Sequence, residues 1–203
     1  MPTSAALAAI YAGDTQEAEQ LLQRADRLAG EGHSLTDRAY NLYARGELEA
    51  QHDPVAALEA YSEAIELARE SGAGFVEGIA SVGLVRLWTS TGQIDQALHG
   101  FRWLLEHWRR SGSWIQQWTT LRNLAYLLID AGDHHTAALL LAAADEAAES
   151  SAAAGDPVLE QARETLADGL GAERLAAVRG EAEGLGRVAV VDAALAAIDR
   201  LSA

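Results

Sequence analysis

The sequence predicts an all-α fold, a solenoid of antiparallel helix pairs, and three observations predict it. First, a segment recurs as Gly13-Asp14-Thr15-Gln16-Glu17-Ala18, His52-Asp53-Pro54-Val55-Ala56-Ala57, Gly92-Gln93-Ile94-Asp95-Gln96-Ala97 and Gly132-Asp133-His134-His135-Thr136-Ala137. The first residues stand 39, 40 and 40 positions apart, and a weaker copy, Gly171-Ala172-Glu173-Arg174-Leu175-Ala176, follows 39 later. A fixed period in this range marks one supersecondary unit stacked on the next. Second, apolar residues recur inside each copy at offsets of 4 and 3, which share one face of a helix. Third, hydrophobic residues make up 49% of the 203 positions, many of them Ala, and only three are Pro. Ala has the best helix propensity and lets helices approach closely.

The elements follow in order. Helices are expected near 4–12 and 14–29, 35–51 and 54–71, 74–91 and 93–110, then 113–131 and 134–150. In the second helix of each pair, Ala18, Leu22 and Ala25 correspond to Ala57, Tyr61 and Ala64, to Ala97, Phe101 and Leu104, and to Ala137, Leu141 and Ala144. The first position is always Ala, where a neighbouring helix comes close; the second is always larger and fills the space between helices. In the first helices, Leu84 and Trp88 correspond to Leu124 and Leu128. Gly92 and Gly132 suit a left-handed helix end. Asp14, Asp53 and Asp133 stand where an N-cap accepts backbone N–H bonds, and Pro54 stands at the first helical position, where it costs little. Four pairs thus occupy 1–150. The stretch 150–157 reads as a linker or turn. A degenerate fifth pair (157–169 and 172–184) and a capping helix (188–201) complete the same solenoid over 151–203.

Composition excludes several classes. Without Cys there is no disulfide, thiolate metal site or Cys nucleophile, which fits a cytoplasmic protein. Without Lys, all 15 basic residues being Arg, neither a P-loop nor a Schiff-base enzyme can be built. The net charge of −15 argues against direct nucleic-acid binding, which relies on clustered cations. No apolar run of about 18 residues is free of charge, so no membrane helix is expected. The six His have no metal-site spacing, no Gly-x-Ser-x-Gly elbow occurs, and no catalytic constellation or cofactor motif is seen. The chain reads as a non-enzyme.

The offsets resemble the tetratricopeptide repeat. The fourth copy carries the resemblance most clearly: Leu121, Asn123, Leu124, Ala125 and Leu128, then Gly132-Asp133, Ala137, Leu141 and Ala144. The resemblance implies a right-handed superhelix of antiparallel pairs whose first helices line a concave groove. The chain departs from the family pattern at Arg45 and Val85, where a small residue is usual, and its period exceeds the family's 34 or so residues. The run from Glu106 to Leu124, with Trp108, Trp114 and Trp118, is similar to the C-terminal repeat region of large actinobacterial transcription regulators, LuxR-type and related ATP-dependent proteins. The tail from Leu170 to Leu195 is similar to the end of such proteins. That resemblance implies a regulatory domain and supplies no active site.

Carrying the groove over gives Leu42 and Gly46, then Val82, Arg86 and Ser90, then Arg122, Asn123 and Tyr126. All five Trp fall between 88 and 118. They read first as packing residues; as a binding surface, Trp114 and Trp118, one turn apart, would act with the nearby Arg102, Arg109, Arg110 and Arg122. The candidate contact residues are therefore Arg86, Trp114, Trp118, Arg122, Asn123 and Tyr126. The expected function is a non-catalytic scaffold for protein–protein interaction in bacterial transcription control or signalling, its partner a protein or another domain of a larger regulator. A small-molecule (inducer) sensor is the alternative, to be told by a closed, aromatic-lined pocket with convergent polar groups. Self-association as a homodimer stays open.

Overall fold

The computed structural model describes residues 2–29, 34–147 and 157–203, and among these there are eleven helices and no strand. They are α1 (Pro2–Ala12), α2 (Thr15–Ala29), α3 (Leu35–Glu49), α4 (Pro54–Glu70), α5 (Gly74–Ser90), α6 (Ile94–Ser111), α7 (Trp114–Asp130), α8 (His134–Ala147), α9 (Pro157–Leu170), α10 (Ala172–Glu183) and α11 (Arg187–Leu201). Each expected helix is present, its described ends within about two residues of the expected ones, the usual uncertainty of a helix end. The expected end of the eighth helix, 148–150, and the linker up to 156 lie outside the described residues. No described helix is long and apolar enough to cross a membrane.

Local chemistry explains the helix ends. Asp14 Oδ1 accepts the Glu17 N–H at 2.9 Å, Asp53 Oδ1 accepts from Val55 and Ala56 at 3.1 and 3.0 Å, and Asp133 Oδ1 accepts from Thr136 at 3.1 Å. Each bond satisfies a donor that the first helical turn leaves open. Gly92 and Gly132, at φ 77° and 83°, turn the chain out of α5 and α7 through the left-handed region, where a side chain would be strained.

The chain divides at Gly100, inside α6, into two compact units, Met1–Gly100 and Phe101–Ala203. In the first, α3 packs on α1, α2, α4 and α5; α1 packs also on α2, and α4 on α5. The contacts of α1 with α3 and of α3 with α5 place first helices of successive pairs side by side. The core runs from Leu7 and Ile10 through Leu22, Tyr43 and Leu48 to Tyr61 and Leu84. The repeated Ala positions are the close approaches the offsets predict: Ala18, Ala57 and Ala97 are 0% exposed, as is Ala137 in the second unit.

In the second unit, α7 packs on α8 and α9, and α8 also on α9, α10 and α11. Trp108, at the end of α6, is 1% exposed, and its indole N–H donates to Thr120 Oγ1 at 3.1 Å. The last helix forms where expected. It packs on α8 and α7. It is tied to α6 by Arg102–Asp199 and by Arg109–Asp192 (3.6 Å), and to the start of α8 by Arg200–Asp133 (2.7 Å). The reason lies in the sequence of α11: Val190, Val191, Ala194, Ala197 and Ile198 make one apolar face, while Asp192, Asp199 and Arg200 flank it with charges that match α6 and Asp133.

Candidate functional site

The first unit brings one buried carboxylate, three tyrosines and an arginine together. Two glycines make this possible. A Cβ on Gly46 of α3 would lie 2.6 Å from the Tyr61 ring, and one on Gly83 of α5 would overlap the same ring. Their absence lets the ring of Tyr61, from α4, enter between α3 and α5. Its hydroxyl then donates to Glu47 Oε1 at 2.7 Å. Tyr11, from α1, leaves most of its ring in solvent but turns its hydroxyl inward, donating to Glu47 Oε2 at 3.3 Å and lying 3.0 Å from the Tyr43 hydroxyl. Arg86, from α5, places Nη1 3.5 Å from Glu47 Oε2.

The electrostatics follow from burial. Glu47 is 7% exposed, whereas the Arg86 side chain is 56% exposed, so the negative partner is fixed and the positive one is free to swing. Burial of the hydroxyls, and then the charge of Glu47, raises Tyr11, Tyr43 and Tyr61 above the ordinary tyrosine value. All three therefore stay protonated at neutral pH, and Tyr11 and Tyr61 serve Glu47 as donors. A carboxylate has about four lone-pair sites; two are met by hydroxyls, and Arg86 approaches only loosely. Acceptor capacity remains towards a cavity of about 340 Å³ lined by Ile10, Tyr11, Glu47, Ala50, Gln51, Tyr61, Gly83, Arg86, Leu87 and Ser90. That volume is at the lower end of small-molecule sites, which pair apolar walls with a few convergent polar groups.

Of the residues expected from sequence, only Arg86 belongs to this cluster; Ser90 lines the same cavity. Gly46, expected in the groove, is instead a packing position beneath Tyr61. The other five candidates lie in the second unit and do not form one site. Trp114 and Trp118 lie with ring centroids 6.4 Å apart, both half-buried, and the Arg187 guanidinium stands 5.4 Å from the Trp114 ring centre. Arg122 turns to Asp145 at 3.9 Å, which Arg163 also holds at 2.8 Å. Asn123, the next residue along α7, is half-buried. Tyr126 lines a cavity of about 400 Å³ between α7 and α9, with Ile129, Pro157, Val158 and Gln161, which neither Trp lines. The arginines flanking the Trp run are all in internal ion pairs: Arg102 and Arg109 with α11, Arg110 with Glu106, Arg122 with Asp145.

Two further polar features stand out. Gln117, fully buried on α7, has neither amide atom hydrogen-bonded among the described residues. His134 and His135 are half-buried at the start of α8: the His134 ring fills the space over Gly169, and His135 Nε2 lies 3.6 Å from Glu181. Among the described residues no three His, Asp or Glu converge as a metal set.

The sequence does not mark Tyr11, Tyr43 or Glu47 as site residues, and it marks Tyr61 only as a packing residue of the repeat. A signal was present. Glu47 interrupts the apolar face of α3 between Ala44 and Leu48, and glycine at both 46 and 83 breaks otherwise helical patterns, which usually has a packing reason.

Compared with family models, curated proteins and solved structures, the chain matches none. What the fold and the site define is an all-α protein holding a tyrosine-lined polar cavity in its first unit.

Proposed function

We propose that this chain is a non-catalytic, tetratricopeptide-like scaffold that mediates protein–protein interaction or assembly in a bacterial transcription-control or signalling system in the cytoplasm. The observation that carries the reading is the repeat itself. The same small residue, Ala18, Ala57, Ala97 and Ala137, is fully buried four times at one offset after the helix turn. Stacked pairs of this kind work through extended surfaces. On that reading Trp114, Trp118, Arg122, Asn123 and Tyr126 form the contact region in the second unit, and Arg86 contributes from the first. Half-buried Trp beside Arg is the composition of a binding hot spot.

The test is co-purification with Trp114→Ala, Trp118→Ala and Arg122→Glu, each checked for native circular dichroism. A partner retained by the parent protein and lost from folded variants supports the contact region. Retention of every partner by all three sinks it.

A second reading, an inducer sensor, is favoured by one specific observation: the polar cavity around Glu47. It brings aromatic residues and polar groups together, although it opens to solvent beside Arg86 rather than being closed. A compound that raises the melting temperature by binding the folded chain supports it. No shift across a metabolite panel leaves the scaffold reading alone.

A further inference from the structure

We infer that the cavity between Glu47 and Arg86 is a binding site for a small zwitterion of the amino-acid type, its ammonium on Glu47 and its carboxylate on Arg86. This rests on the sensor reading and names the class of ligand.

The site holds one negative and one positive group side by side. Glu47 is buried and fixed by the hydroxyls of Tyr61 and Tyr11. Arg86 is mostly exposed and only 3.5 Å from Glu47 Oε2, a loose contact for a charged hydrogen bond, which closes to about 2.7–2.9 Å when well made. A ligand that separates this pair must satisfy both ends, because a buried charge left without its partner is costly. A net anion would face Glu47, and a simple cation would face Arg86. A neutral apolar molecule would strip water from both and replace nothing. A zwitterion exchanges one loose contact for two close ones and leaves the charge of the site unchanged.

The rest of the lining suits the same class. Tyr11, whose ring is largely exposed, is among the lining residues, and an aromatic face attracts an ammonium group. Ile10, Ala50 and Leu87 offer an apolar wall for a side chain, with Gln51 and Ser90 as polar contacts beside it. The raised tyrosines remain protonated at neutral pH, so their hydroxyls go on donating to Glu47.

The probes are the twenty free L-amino acids, tested on the whole chain by thermal shift and titration calorimetry. At least one is expected to raise the melting temperature and bind. Its decarboxylated amine and its N-acetyl derivative are expected to bind about tenfold or more weakly, the loss of one charge-assisted contact. Arg86→Ala, an exposed change, and Glu47→Gln, which keeps the shape, are expected to weaken it by the same order. If Glu47→Gln fails to fold, Tyr11→Phe, at a largely exposed ring, gives a smaller loss in its place. Three outcomes overturn the inference: no amino acid binds; the amine binds as tightly as the amino acid; or Arg86→Ala and the Glu47 or Tyr11 variant leave affinity unchanged. A different metabolite binding in a Glu47-dependent way would keep the sensor reading and remove the zwitterion. Silence from amino acids and metabolites alike removes both.

Discussion

The Tyr61 hydroxyl lies 2.7 Å from Glu47 Oε1, and both side chains are held out of solvent by the core of the first unit. The contact joins α4 to α3 and depends on glycine at 46 and 83. Tyr61→Phe keeps the ring and removes the donor, leaving a buried carboxylate oxygen short of a partner. The expected loss is about 1–3 kcal/mol of unfolding free energy by urea titration. Gly83→Ala attacks the same contact from the other side by pressing on the ring, and overpacking of this kind costs about 1–3 kcal/mol. Unchanged stability in both variants would mean that the ring is not seated as described.

Alkaline pH should unfold the first unit in step with tyrosine ionisation. Tyr11, Tyr43 and Tyr61 have folded values raised above the unfolded value of about 10. The sign is that of a group favoured in its protonated form by folding: its contribution is complete below about pH 10 and is lost as pH rises above that, towards the folded values. Phenolate absorbance from these three is expected to appear together with loss of helical circular dichroism. Full ionisation of all five tyrosines with the helices intact would contradict it.

Gln117 offers a gain of stability. Its amide is fully buried with no partner for either atom among the described residues. Gln117→Met has similar volume and no polar atom to desolvate. Since an unmet buried group costs about 1–3 kcal/mol, the variant is expected to be more stable by roughly 1 kcal/mol, read as a higher urea midpoint. A lower midpoint would show that the amide has a partner after all.

Asp133 serves two helices at once. It caps α8 through Thr136 N–H and accepts Arg200 of α11 at 2.7 Å. Burial alone would raise its carboxyl, but Arg200 and Thr136 outweigh that and hold it below the ordinary aspartate range. A lowered folded value means stability that is present above the unfolded value of about 4 and is lost as pH falls through the lower folded value. Asp133→Ala is expected to cost about 0.5–2 kcal/mol at neutral pH, the range for a lost cap. Arg200→Ala removes the ion pair and the bond to Thr136 Oγ1 but leaves the cap, and with Arg200 largely exposed it should cost about 0–1 kcal/mol. Equal losses in the two variants would place the stabilisation in the ion pair rather than in the cap.

What the sequence by itself determined is local. The 40-residue period, the Ala and large apolar offsets, the Asp caps and the glycine turns all act within one helix or across one turn, so the periods of 3.6 and 40 expose them directly. That is why the helices, their ends and the buried faces were legible, along with Trp108 as a packing residue. The tertiary structure decided which side chains meet. Residues 11, 43, 47, 61 and 86 come from four helices of the first unit. No spacing along the chain encodes how far Tyr61 enters between α3 and α5; that depth depends on two missing Cβ atoms. Likewise the composition of α11 marks it as amphipathic, but only packing shows its apolar face against α8 and its Asp192 and Asp199 against α6. Charges that look solvated in a sequence become paired or isolated only when another helix brings, or withholds, the opposite group.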